Sequence, residues 1–334
     1  MKRLHLLLAV AVVVPVLLIG IAYAVFRAQT APPSDSDEKI VIDIAKGTGL
    51  RALAAKLQAE GVIKNDKAFM LLARWHDQAK RIKAGEYLMP KNADAEKILA
   101  QLVAGEVIRH QVTIPEGRNL FEVAKILSDA GFGDVEALTA LMTDKKFVKG
   151  LGVPGKNLEG YMFPDTYSFL KGDTARQLLT RMVKEFFRVF AEVKADKTPG
   201  GLSDRQVVIL ASICEEEARM RTEMPMIARV YLNRLRKGML LQADPTVVYG
   251  LLVFDRPLRL SDLKKPNRYN TYLNKGLPPG PISNPGRDAL FAVFHPAKSN
   301  ALYFVAQGDG SHYFSDTYEE HQQAVARWRA LKKK

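Results

Sequence analysis

Three consecutive glutamates, Glu215, Glu216 and Glu217, end an apolar run reading VVILASICEEEAR. Ser203 and Gln206 stand at the spacing of a capping box, so a helix begins there. On a 3.6-residue period Leu210, Ile213, Cys214 and Glu217 fall at i, i+3, i+4 and i+7, which puts Glu217 on the apolar face and points Glu215 and Glu216 away from it. A carboxyl aimed into packed, low-dielectric surroundings resists ionisation and its pKa rises. An acid kept protonated near neutrality can protonate a leaving group. Three acids near a helix C-terminus also oppose the macrodipole, each by ~0.3–1 kcal/mol when exposed. For Glu215 and Glu216 the plainer reading is a solvated acidic helix end beside Arg219 and Arg221. For Glu217 the functional and structural readings weigh evenly, because a buried unpaired glutamate is rare.

Elements on both sides must position these acids. A following helix is capped at Thr222, buries Ile227, Val230, Tyr231 and Leu235, and stops at Gly238. Four polar, Gly/Pro-rich segments come next: LQADPTVVYG (241–250), RYNTY (268–272), GLPPGPISNPG (276–286) and FHPAKS (294–299). Irregular segments of this composition usually line clefts. Asp244 in QADPT is a candidate second carboxylate; an Asx-type cap before Pro245 and Thr246 is at least as good a reading. ALYFVA (301–306) and SHYFS (311–315) read as a hairpin, and a helix from about Asp316 to Leu331 precedes a basic tail.

With 334 residues, 47% hydrophobic and 25% charged, the chain is globular and long enough for about two domains. Its net charge of +13 suits an anionic lipid surface or an acidic polymer; the basic residues are dispersed, which argues against nucleic acid. The lone cysteine, Cys214, sits in an apolar helical position and reads as core; CxxC and HExxH spacings are absent, so no metal or other cofactor is expected. Leu6–Phe26 is uncharged and long enough to cross a bilayer. Lys2 and Arg3 precede it and an acidic patch follows, so residues 1–5 are expected in the cytoplasm and the bulk of the chain outside. A cleaved signal peptide ending near Ala22-Tyr23-Ala24 is the rival, but the apolar run exceeds the usual length. Residues 27–38 read as a linker.

An internal repeat follows: 41–61 matches 111–131 at a constant offset of 70, pairing Ile44 with Ile114, Gly47 with Gly117, Leu50 with Leu120 and Gly61 with Gly131. Each copy reads as strand, glycine turn and amphipathic helix. GTGLRA in the first copy comes close to a dinucleotide fingerprint, but its counterpart EGRNLF lacks the paired glycines, which favours a turn. Helices at Phe69–Trp75 and Asp94–Ala104 flank AGEYLMP (84–90), and this strand–helix–helix–strand grouping resembles a LysM-type peptidoglycan-binding module. Leu138–Leu151 reads as helical and 157–169 as an aromatic connector.

ASICEEEA, ARVYLNRLRKGMLLQADPTVVYG, YNTY, GLPPGPISNPG, HPAK and LYFVA occur in the order found in the YceG-like family of endolytic murein transglycosylases, which this chain resembles over nearly its whole length. The resemblance implies cleavage of peptidoglycan glycan strands without water, leaving 1,6-anhydro-N-acetylmuramic acid ends. The family's catalytic acid, the second glutamate of an E-x-E-T pattern, maps onto Glu217, with Ala218 where Thr is usual. Glu215, Gln242, Asp244, Tyr269, Asn270 and Tyr272 become candidate substrate-binding residues. Two alternatives stay open: a muramidase-type hydrolase using Asp244 with Glu217, and a non-catalytic wall-binding protein. The expected architecture is α+β: a transmembrane helix (6–26), a LysM-like β-α-α-β subdomain (39–108), the second repeat and connector (109–156), and an α+β catalytic domain (157–334). The resemblance places the protein in the inner membrane as a single-pass chain with a periplasmic catalytic domain. It would work on nascent strands, with peptidoglycan synthases as a further partner that this setting allows. The uncharged length of Leu6–Phe26 predicts that it stays attached; sequencing a mature N-terminus near Val25 would overturn this.

Overall fold

The computed structural model describes the backbone of residues 2–331 and the side chains of 11–330. Residue 1, the side chains of the Lys2/Arg3 flank and the tail 332–334 lie outside the described residues. The first helix, α1 (Lys2–Thr30), outruns the expected span at both ends and takes the start of the expected linker into its last turn. Pro15 lies inside it, and by length and composition alone Ala11–Thr30 could cross a membrane. The chain divides into two compact units: residues 1–110 with 168–172, and residues 111–167 with 173–334.

In the first unit β1 (Lys39–Ile44) leads into α2 (Leu50–Ala59), α3 (Asp66–Trp75) and β2 (Gly85–Pro90), followed by α4 (Ala95–Ala104). The strands pair antiparallel with Ile42 opposite Tyr87. Alternation sends Ile42, Ile44, Tyr87 and Met89 inward, onto Leu53, Leu57, Phe69, Leu72 and Leu102 of the helices. Asn65 and Asp94 cap α3 and α4 through their side chains.

The second repeat copy belongs to the second unit. In chain order β3 (His110–Thr113) precedes α5 (Leu120–Asp129), α6 (Val135–Thr143), α7 (Lys145–Gly150) and β4 (Thr166–Phe169). Helices α2 and α5 begin and end 70 residues apart, and all four matched glycines, Gly47, Gly61, Gly117 and Gly131, have positive φ, the backbone region a side chain disfavours. The copies differ at the helix start: Asn119 forms a full capping box with Glu122, whereas Gly49 offers no side chain. The helix expected over 138–151 is two helices, because Asp144 leaves the helical backbone to cap α7.

Helices α8 (Ala175–Val193), α9 (Asp204–Glu217), α10 (Met224–Arg236), α11 (Asp244–Leu251) and α12 (Arg287–Phe294) build the rest of the core. Val207–Cys214 is buried without interruption, with α10, α11 and α12 packed against α9 and α8 against α12. The second helix starts at Met224 rather than Thr222, after a short 3-10 turn at Arg221–Glu223. The hairpin of β5 (Tyr303–Ala306) and β6 (His312–Ser315) and the final helix α13 (Tyr318–Leu331) close the chain. Glu223 accepts from the backbone N–H of His312 at 2.9 Å and bonds its Nδ1 at 2.7 Å, tying hairpin to helix start.

One buried acid holds several segments of this unit together. Glu159 is 1% exposed. Its carboxyl accepts from the Leu120 backbone N–H at the α5 start, from the Tyr249 hydroxyl at 2.9 Å, and from the Asn284 amide at 3.4 Å. Burial pushes this carboxyl up to about 8, against the pull of those hydrogen bonds. Glu159→Gln would turn an amide N–H₂ toward groups that are all donors. It is expected to destabilise by ~1–3 kcal/mol, measured by denaturant unfolding.

Candidate functional site

Helix α9 stops abruptly: Ala218 has extended backbone, so Glu215, Glu216 and Glu217 occupy the last turn. One turn of helix spreads them into three surroundings.

Glu217 is half-buried, and its Oε1 accepts a hydrogen bond from the Tyr231 hydroxyl at 3.0 Å. Burial pushes its carboxyl up to about 7; the Tyr231 bond pulls the other way, Asp244 and Glu216 raise it, and Arg234 lowers it. Tyr231 and Arg234 are three residues apart on α10, hence on one face. Arg234 is 8% exposed. It gives its N–H donors to backbone carbonyls, Nε to Leu302 at 2.6 Å and Nη1 to Leu241 at 2.7 Å, and its guanidinium lies 5.3 Å from the Tyr303 ring centre. It therefore supplies positive potential near Glu217 and lowers its carboxyl without pairing with it.

Asp244 opens α11. No side-chain cap bond forms there, so the Asx-cap reading gives way: the exposed carboxylate instead accepts from the Tyr272 hydroxyl at 2.6 Å. Glu217, Asp244 and Tyr272 thus gather with Tyr231 and Arg234. Gln242 stands exposed beside them at φ 52°, a left-handed conformation that a residue with a side chain rarely adopts. Thr271 keeps it there, accepting from the Gln242 N–H at 3.1 Å through its carbonyl and from the Ala243 N–H at 3.0 Å through its hydroxyl, which also bonds Thr246 at 2.9 Å. Neither threonine was singled out from sequence, because a buried hydroxyl pair between distant loops leaves no periodic signal.

Asn270, Glu215, Glu216 and Tyr269 have surroundings of their own. Asn270 is fully buried, and its amide bonds the Leu263 and Lys265 carbonyls and the Tyr272 N–H, so it shapes the loop and is closed to a ligand. Glu215 accepts from the Gly286 N–H at 2.8 Å and faces a separate cavity of about 330 Å³ with Glu116, Arg221 and Asp288. It anchors the 281–286 loop. Glu216 is exposed as expected, but the surface it meets is concave: it lines a groove of about 280 Å³ with Asn119, Glu122, Asp244, Tyr249 and Phe254. Burial in this groove pushes its carboxyl up to about 7, with Glu122 and Glu215 adding to the rise and a hydrogen bond from Ser283 opposing it. Tyr269 is half-buried against Tyr249, ring centres 5.0 Å apart. Among the described residues no group of three or more His, Cys, Asp or Glu is arranged to hold a metal ion.

Tyr231 donates to the Glu217 carboxylate, so Tyr231→Phe removes a bond that favours the charged form. The Glu217 titration midpoint is expected to move upward from about 7, read by carbon-13 NMR of the side-chain carboxyl.

The sequence profile of the YceG-like family matches residues 42–327. A Bacillus subtilis protein named endolytic murein transglycosylase is 32% identical over 93% of this chain and 91% of its own length. A Streptococcus pneumoniae protein of the same name is 27% identical over 88% of this chain, which spans 59% of that longer relative. The crystal structure of a YceG-like protein from Listeria monocytogenes superposes with a TM-score of 0.60 at 34% identity, covering 86% of this chain and 99% of the other. The helix that carries the acids, the loops that surround them and the matched span all lie within one relationship: this chain belongs to the YceG-like family.

Proposed function

We propose that this protein is a lytic transglycosylase that cleaves peptidoglycan glycan strands internally, between N-acetylmuramic acid and N-acetylglucosamine, without water. The names of the relatives support the substrate and the enzyme class. The observation that carries the mechanism is the half-buried Glu217 carboxyl, pushed to about 7 and held by Tyr231, with no ion pair among the described residues. An acid of that strength is substantially protonated near neutral pH and, once ionised, is a usable base.

Glu217 donates its proton to the glycosidic oxygen as the bond from that oxygen to the anomeric carbon breaks. The C6 hydroxyl oxygen of the same muramic unit then bonds to the anomeric carbon, and the Glu217 carboxylate accepts the hydroxyl proton. The products are a 1,6-anhydro end and a free hydroxyl on the departing sugar, and Glu217 returns to its acid form. Oxygen Oε1 is occupied by Tyr231, so the travelling proton belongs on Oε2. Ordinary glycosidases need a second carboxylate as nucleophile or base. The candidate here, Asp244, is exposed and accepts from the Tyr272 hydroxyl at 2.6 Å, so the product decides between lytic transfer and hydrolysis.

In the same reading α1 anchors the chain in the cytoplasmic membrane, with the remainder outside and access to nascent strands, and the β1–α2–α3–β2 group serves as a LysM-like glycan-binding module. Deleting residues 39–108 should then weaken glycan affinity.

Glu217→Gln keeps the shape and removes the acid. Cleavage is expected to fall by at least ~10²–10⁴-fold with folding retained. Product mass is the decisive readout: anhydro ends support lytic transfer, reducing ends carrying added water would indicate hydrolysis, and retention of anhydro products by Glu217→Gln would sink the assignment.

A further inference from the structure

We propose that Phe254, which lines the groove beside Glu216, forms with the neighbouring Phe121 ring a stacking platform for a neutral pyranose, the N-acetylhexosamine next to the cleaved bond; this rests on the function proposed above. Phe121 follows the α5 start and Phe254 follows α11, yet their ring centres lie 6.2 Å apart. They are 37% and 42% exposed. Leu252 ends α11 in a left-handed conformation at φ 54°, and Phe254 comes to lie with its ring centre 6.3 Å from that of Tyr249 in an edge arrangement. Tyr249 is itself buried and bonded to Glu159. Three rings thus step outward from the buried Tyr249, the outer two partly exposed and inclined at 41° to each other.

The same groove also has polar lining. Glu216 and Asp244 line it with hydrogen-bond acceptors, while Arg118 is taken up by Glu122 at 2.7 Å. A pyranose matches both surfaces: C–H groups on one face suit an aromatic ring, and hydroxyl and acetamido N–H groups donate to carboxylates. The acidic lining repels a sugar that carries its own carboxylate. Of the two sugars in the strand, it therefore takes the neutral one, the neighbour of the muramic unit whose bond breaks. Continuity with the cluster is direct, since Glu216 adjoins Glu217 in sequence and Asp244 both lines the groove and raises the Glu217 carboxyl.

The test is steady-state cleavage of purified glycan strands by the full-length protein and its Phe254→Ala, Phe254→Trp and Phe121→Ala variants. A platform that binds ground and transition states alike changes KM and spares kcat. Phe254→Ala is expected to raise KM roughly tenfold with kcat within about twofold, Phe254→Trp to restore it, and Phe121→Ala to raise KM in the same direction. An unchanged KM, a loss confined to kcat, or failure of Trp to restore binding overturns the platform. Glu217→Gln separates the two readings: if it abolishes cleavage while Phe254→Ala leaves KM unchanged, the function stands and the platform alone falls.

Discussion

The burial of α9 on every side is the constraint on which the rest depends. A stretch buried at every position has to be enclosed, and α10, α11 and α12 pack against α9, whose Val207–Cys214 is such a stretch. A close-packed interior does not let such a rod turn about its axis. The directions of the three terminal side chains are consequently decided in the core, not at the surface where they emerge. The arrangement puts acids at the unfavourable end of a helix dipole, in partial burial, where ionisation is costly. Each acid is met by its own surroundings: Tyr231 for Glu217, the Gly286 N–H for Glu215, and the groove for Glu216.

The treatment of positive charge around Glu217 follows the same logic. A guanidinium in bidentate contact would hold the carboxyl ionised and leave no proton to give. Arg234 is close enough to lower it, while its Nε and Nη1 are occupied by the Leu302 and Leu241 carbonyls. The same bonds join the segment before Asp244 and the segment before the hairpin to α10. One side chain therefore sets the local potential and fastens two walls of the site.

Much of this was legible in the sequence where the signal is local or periodic. The capping box at Ser203, the apolar stripe leading to Glu217 and the 70-residue repeat reappear as helix start, half-buried acid and matched strand–turn–helix copies. What escaped depends on contacts between distant segments. A helical wheel shows that Glu216 leaves the apolar face, but not that Asn119 and Tyr249 stand across from it. Asn270 looked like a polar group available for ligand, because sequence does not show that its amide closes a loop on Leu263 and Lys265. Glu159 gave no signal at all. Its importance arises from α5, α11 and the 284 loop converging on one carboxyl.

The divergence of the three glutamates has a consequence for how this chain tolerates change. Consecutive helical residues are separated by about 100° of rotation. A one-residue insertion or deletion within α9 would swing each carboxylate into the place of a neighbour, so that Glu216 or Ala218 would face Tyr231 and the Gly286 N–H would lose Glu215. Composition would be almost unchanged and the helix would still form, but the correspondence between acid and surroundings would be permuted. Substitutions in the helix can be judged one position at a time; length changes cannot, because the phase of the helix is itself part of the site.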